Sequence, residues 1–223
     1  MPVFSAGPKV GETLSYDVNY SGLNLGYFQI KTIAEYPWQD FISNHVEKNN
    51  QEYFTACLPP ISTDNLAIVR LRVFSNVEQL DKSEDIYILQ PSGYPLMFKQ
   101  YGHQGEESVT YTDPFTYKVM SYSHAGSKRI KQFRNPVFDP VSLFFFLRYQ
   151  DYSKSYNLDT LDQNFSFSRN GKETITSRGK QYNTFIVKSE PPKLTLWFTD
   201  NEIRLPVRIQ YDLFLGTVVF ELK

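Results

Sequence analysis

KLTLWFTDNEIRLPVRIQYDLFLGTVVFELK, residues 193–223, decides the fold class. Leu194, Leu196 and Phe198 alternate with Thr195, Trp197 and Thr199. Beyond the turn-like TDNE, Val207, Ile209, Tyr211 and Leu213 alternate with Arg208, Gln210 and Asp212, and Val218, Phe220 and Leu222 make a last run. A period of two places apolar side chains on one face of an extended chain and polar ones on the other, the mark of half-buried strands. Leu205-Pro206 holds the backbone extended at the start of the second run,. Asp200 and Arg204 flank the turn, where they would pair as a hairpin staple or contribute to a ligand site,. Trp197 faces away from Leu194, Leu196 and Phe198, so it either covers a second apolar layer or lines a groove.

The same alternation recurs upstream. Leu14, Tyr16, Val18 and Tyr20 share one face, Phe28, Ile30 and Thr32 continue after SGLNLG, and Val69, Leu71 and Val73 alternate with Arg70 and Arg72. Residues 41–48 and 51–57 are expected to be paired strands around EKNNQE,. DIYILQ, LMFKQYG, EESVTYT, FTYKVMSYS and KRIKQF follow as short strands separated by turn chemistry, then NFSFS, GKETITS and YNTFIVKSE,. Asn170-Gly171 is the pairing favoured in a two-residue hairpin loop,. Closely spaced strands without intervening helical patterns predict an antiparallel meander, not βαβ units. The reading is one mainly β domain over residues 1–223: a curved antiparallel sheet or half-open barrel, with residues 1–10 extended or flexible.

NPVFDPVSLFFFLRYQDY, residues 135–152, breaks the rhythm. Asp139 suits a helix N-cap and Pro140 the first helical position,. Leu143, Phe144 and Leu147 then fall at helical spacing, which predicts a helix over residues 140–149,. Phe144, Phe145 and Phe146 make it too apolar for an exposed surface, so it is expected on the concave face of the sheet or plugging one end,.

Composition bounds the chemistry. The chain has 223 residues, 41% hydrophobic and 16% aromatic, with 18 Phe and 16 Tyr. Such an aromatic excess suits an ordinary β core first and also a cavity for apolar ligands. A formal net charge of −1, without a basic stripe, disfavours a nucleic-acid partner,. The single cysteine, Cys57, reads as a buried thiol and leaves no intrachain disulfide or multi-cysteine metal site,. There is no apolar run long enough for a transmembrane helix. MPVFSAGPKVGE lacks a charged n-region and an apolar h-region, so the chain is expected to be cytoplasmic or a mature form freed of its signal peptide,.

No catalytic constellation stands out. His103 and His124 fall in expected turns and His45 in an expected strand, without matched metal-ligand spacing,. Glu84/Asp85 and Glu106/Glu107 are adjacent in strands, so each pair points to opposite faces and makes no acid/base couple,. There is no Gly-rich phosphate loop and no nucleophile elbow. The sequence therefore assigns no catalytic residue, metal ligand or cofactor.

GETLSYDVNYSGLNLGYFQI, FDPVSLFFFLR, GKETI and LTLWFTDNEIRLPVRIQ, in that order, resemble the bacterial family called Domain of Unknown Function 3108. The resemblance runs from about Gly11 to Leu222, is most specific at Asp139-Pro140 and from Trp197 to Arg208, and is weak over about 41–112. It implies an exported, envelope-associated protein of unestablished function, periplasmic once the signal peptide is removed. The architecture it implies is similar to that of the Lol lipoprotein carriers, an open curved sheet with helix over its hollow. Fold does not fix function. Three readings follow, of which the third is an enzyme, with convergent polar groups in a cleft and His45, His103 or His124 as its candidates,. The first is a non-enzymatic carrier or binder of a lipid or other apolar ligand, in a cavity of several hundred Å3 lined by Tyr16, Phe144, Phe145, Phe146 and Trp197. In the second, an envelope protein partner meets a filled module through a sheet edge or exposed aromatic patch. Asp139, Pro140, Asp200, Arg204 and Pro206 are assigned turn and capping roles.

Overall fold

The structure is a computed structural model that describes residues 8–46, 48, 51, 65–75, 82–90, 92–102, 105–123, 126–191 and 193–223. Strands β1 (Thr13–Tyr20), β2 (Leu23–Pro37), β3 (Asn65–Ser75), β4 (Lys82–Leu89), β5 (Pro95–Gly102), β6 (Gly105–Thr112), β7 (Lys118–Ser123) and β8 (Lys128–Gln132) form one half of the chain. The other half contributes β9 (Tyr156–Asp159), β10 (Asn164–Ser177), β11 (Lys180–Glu190), β12 (Leu194–Thr199), β13 (Pro206–Leu213) and β14 (Gly216–Leu222). Two helices, α1 (Trp38–His45) and α2 (Pro140–Arg148), complete the described elements.

All fourteen described strands belong to one sheet, in the order β8-β7-β6-β5-β4-β3-β2-β1-β14-β13-β12-β11-β10-β9. Within each half, strands pair antiparallel with their sequence neighbours, and β14 returns to β1 with Tyr16 opposite Leu222. This is the expected curved antiparallel meander, left unclosed between β8 and β9. The seam is covered by the segment entering α2. Phe138 N donates to Asp159 O at 2.8 Å, and Asp159 N donates to Pro136 O at 2.9 Å. The Asp159 carboxylate accepts from Arg134 N at 3.2 Å and Asn135 N at 3.0 Å. The backbone edge of β9 is thus occupied, and β8, read KRIKQ, carries charges that discourage pairing with another chain,.

Helix α2 fills the hollow. Asp139 caps it as expected, its Oδ1 accepting from Val141 N at 2.8 Å and Ser142 N at 3.1 Å, with Pro140 in the first turn,. Tyr149 is its C-cap. Val141, Leu143, Phe145, Phe146 and Leu147 are buried and Phe144 half-buried, so the helix is apolar almost all round, as a helix enclosed by protein must be,. It packs on Tyr16, Phe28, Ile86, Phe98, Phe167 and Phe198 from both halves of the sheet. Gly93, in the β4–β5 turn, allows the closest approach: a Cβ there would lie 3.2 Å from Phe146 Cα,.

A second core lies on the opposite face of β3–β7. There Ile68, Tyr87, Leu89, Met97, Tyr111 and Met120 pack with Phe41 and Val46. Ile86 and Ile88 face α2 while Tyr87 and Leu89 face this outer core, which makes the DIYIL run apolar without alternation,.

Three sequence expectations change. Residues 38–45 are helix α1, not the start of a strand over 41–48, so His45 sits on a helix. Helical spacing carries Phe41 and His45 to the same side, where Phe41 lies 5.3 Å from the Tyr87 ring and is fully buried,. Asn170-Gly171 is not a hairpin loop: β10 runs through it, and the register with β11 steps from Arg169↔Val187 to Lys172↔Phe185. One extra residue against the partner is a β-bulge, with Gly171 at φ +88°,. The chain reverses instead at Arg178-Gly179, between Ser177 and Lys180. The expected strand over 51–57, Cys57, His103 and His124 lie outside the described residues, apart from Gln51.

The helix should dominate stability. Phe146→Ala is expected to lower the unfolding free energy by about 3–5 kcal/mol, and Phe144→Ala by clearly less, in urea unfolding followed by circular dichroism.

Candidate functional site

The residues proposed from sequence to line an internal ligand cavity do not all face one space. Tyr16, Phe144 and Phe145 do meet, with Leu14, Ile30, Arg148 and Pro206, but the gap between them admits no water molecule. The Tyr16 hydroxyl donates to Pro206 O at 2.8 Å, and burial pushes this phenol well above its ordinary range,. Phe146 packs at a tilt against Phe138 and Tyr94, at 4.8 and 5.4 Å between ring centroids. Trp197 is on the other face of the sheet, as its alternation predicts. Its indole N–H donates to Glu173, and the Arg208 guanidinium lies 5.9 Å from its ring. It covers the outer surface and touches none of the phenylalanines of α2.

Polar groups inside the hollow concentrate near the start of α2. Glu84 and Asp85 point to opposite faces, as strand geometry requires. Asp85 takes a two-pronged ion pair from Arg70, at 2.6 and 2.7 Å, on the outer face,. Glu84 faces inward towards Asp139. Burial, with the Asp139 carboxyl as second cause, pushes Glu84 up to about 8, against the opposing hydrogen bond with Gln100,. Among the described residues, no three His, Cys, Asp or Glu side chains gather closely enough to hold a metal ion.

The open space is elsewhere. A cleft of about 540 Å3 lies beside the C-terminal end of α2. Its frame is the β12–β13 turn, read as TDNEIR. Asn201 Oδ1 accepts from Ile203 N and Arg204 N, both at 3.1 Å, and from Thr199 Oγ1 at 2.9 Å,. That turn leaves Arg204 at φ +49°. The Arg204 guanidinium donates to Gln150 O at 2.7 Å and Arg148 O at 3.4 Å, carbonyls at the end of α2 that have no helical partner,. Asp200 is engaged by Lys172 Nζ at 2.5 Å and Arg169 Nη2 at 3.8 Å. Pro206 opens β13 just beyond the turn.

The cleft's floor is aromatic and its walls carry both charges, Arg169 and Arg204 with Asp151, Asp200 and Glu202. Arg169 and Arg204 lie 5.0 and 5.6 Å from the same Phe185 ring, and Tyr152 packs 5.6 Å from it,. Asp151, at the rim, accepts from Ser153, and those hydrogen bonds hold its carboxyl below the usual range,. Sequence reading gave Asp200 and Arg204 turn roles, with a ligand site as the alternative, and did not single out Arg169, Phe185 or Tyr152. The signal was the spacing around Asn170-Gly171: read as a bulge instead of a loop, it keeps Arg169 and Lys172 on one continuous strand beside β11.

Residues 69–223 match the family described as "Protein of unknown function (DUF3108)". The chain belongs to the DUF3108 family. The match includes 69–112, where the sequence motifs were weakest, and the cleft, α2 and the β12–β13 turn all lie inside it. No curated protein matches this DUF3108 chain. Among solved structures it is similar to a β-barrel-like protein of domain of unknown function DUF1849 from Brucella abortus. That likeness has 9% identity, covers 95% of this chain and 94% of the other, and gives a TM-score of 0.47.

The inward carboxyl has a measurable consequence. In the unfolded chain Glu84 loses its proton near 4.5, whereas in the folded protein it keeps it to about 8. The native state therefore binds more protons between these values, and stability falls as pH rises through that window. Glu84→Gln should flatten this part of the melting temperature against pH profile, read by differential scanning fluorimetry.

Proposed function

We propose that this DUF3108 protein is a non-enzymatic component of the bacterial cell envelope, exported to the periplasm, that binds an amphiphilic ligand in the open cleft at the end of α2. The observation that carries this reading is the pair of guanidinium groups, Arg169 and Arg204, set over the single Phe185 ring. An apolar chain or ring gains by packing on half-buried Tyr152 and on the aliphatic stems of the arginines that cover Phe185,. An anionic head, carboxylate or phosphate, gains charge-assisted hydrogen bonds from the guanidinium groups. The volume of about 540 Å3 suits one such molecule,. The packed gap under α2 favours this outer cleft over an internal site of the lipoprotein-carrier kind. Export and envelope location rest on the family resemblance. No helix among the described residues is long and apolar enough to cross a membrane.

A second reading, an envelope interaction module without a small ligand, is favoured by the exposed Phe214 at the far end of the sheet.

The deciding experiment is native mass spectrometry, with lipid extraction, of protein purified from a bacterial envelope. A co-purifying acyl compound is expected with the wild type. Arg169→Ala removes a partly exposed side chain and should weaken retention about tenfold, the usual scale for a lost charged hydrogen bond. Ligand-free wild type, or equal retention by Arg169→Ala, would rule the cleft out.

A further inference from the structure

We propose that the end of the sheet carrying the β1–β2 and β13–β14 turns is a docking surface that seats in the interfacial layer of a lipid bilayer. The two turns are neighbours because β1 pairs with β14. Tyr20 lies opposite Val218, and Ser21 N donates to Thr217 O at 3.3 Å. Phe214 and Leu215 form the tip between the paired Leu213 and Gly216. Phe214 is 101% exposed and Leu215 80%, with Leu213 and Leu23 exposed beside them. These side chains protrude from hairpin tips, and a soluble surface gains nothing from so large an unburied group.

Three features select lipid over a protein partner. Val18–Ile30 and Leu213–Phe220 contain no Asp, Glu, Lys, Arg or His, in a chain that is 21% charged. Entry into a low-dielectric layer demands such a footprint, because an ionised group there is costly. The nearest carboxylate, Asp212, is held inside the hairpin, accepting from Thr217 Oγ1 at 2.9 Å and Gln210 Nε2 at 3.0 Å. The tip's backbone is also provided for: the Tyr20 hydroxyl donates to Leu215 O at 2.8 Å,. Finally, Tyr20 sits just behind the apolar tip, where an amphipathic ring meets the headgroup level.

A neutral footprint means that attachment does not depend on anionic lipid and resists salt. Full-length protein should float with phosphatidylcholine vesicles equally at about 0.1 and about 0.5 M NaCl. Replacing both tip residues, Phe214→Ser with Leu215→Ser, should lower vesicle partitioning about tenfold or more while leaving the melting temperature unchanged. Phe214→Trp should show a blue-shifted emission on adding the same vesicles. Arg169→Ala should float like the wild type, so failure of the cleft reading and failure of this one are distinguishable. The proposal is overturned if the wild type stays in the aqueous fraction, as it would if the tip met a protein. Retention by the double variant, loss at high salt, or unshifted Phe214→Trp emission overturns it equally.

Discussion

A sheet curved this far creates a hollow, and the hollow must be filled. Helix α2 meets that constraint. A sheet-lining helix usually needs one apolar stripe, but one enclosed by strands needs apolar side chains on nearly every side. PVSLFFFLR supplies them, and the side chains of β1, β4, β5, β10 and β12 close around it. The strand halves meet directly along the β1–β14 pair, and the helix packs on side chains from both, so all three share one core.

Filling the hollow brings polar groups with it, and each requires a partner. At the N-terminal end, Asp139 caps the exposed backbone N–H groups while remaining buried, and its proximity helps keep Glu84 protonated. At the C-terminal end, Arg148 is 3% exposed yet charged. It donates to Glu12 at 2.7 Å and to Ile203 O at 2.7 Å, which ties β12–β13 and the approach to β1 to the helix,. Arg204 then satisfies the last carbonyls. The cleft is thus a consequence of ending the helix: Arg204, which caps α2, also stands in its wall, over the buried Phe185 ring.

The parts of this arrangement legible in sequence were those set by local chemistry. Alternation in Leu194–Thr199 and Pro206–Leu213 gave correct strands, and Asp139-Pro140 gave the helix start to the residue. What could not be read depended on distant partners. Trp38–His45 looks neutral between helix and strand until Tyr87 and Met97 offer a second core on the outer face,. Asn170-Gly171 carries a hairpin's local preference, but β11 pairs on both sides of it and converts it to a bulge. The aromatic count signalled a large apolar interior correctly. It could not say whether phenylalanine would line that interior or fill it.

The cleft and the hairpin tip lie at opposite ends of β13, which starts at Pro206 beside the one and ends at Leu213 beside the other. Eight residues of strand span roughly 25 Å,. A molecule seated over Phe185 would therefore sit well clear of a bilayer that held Phe214. The cleft opens to solvent beside the C-terminal end of α2, so a ligand would enter and leave it through water. That geometry suits holding an amphiphile already free of the membrane better than drawing one out of it.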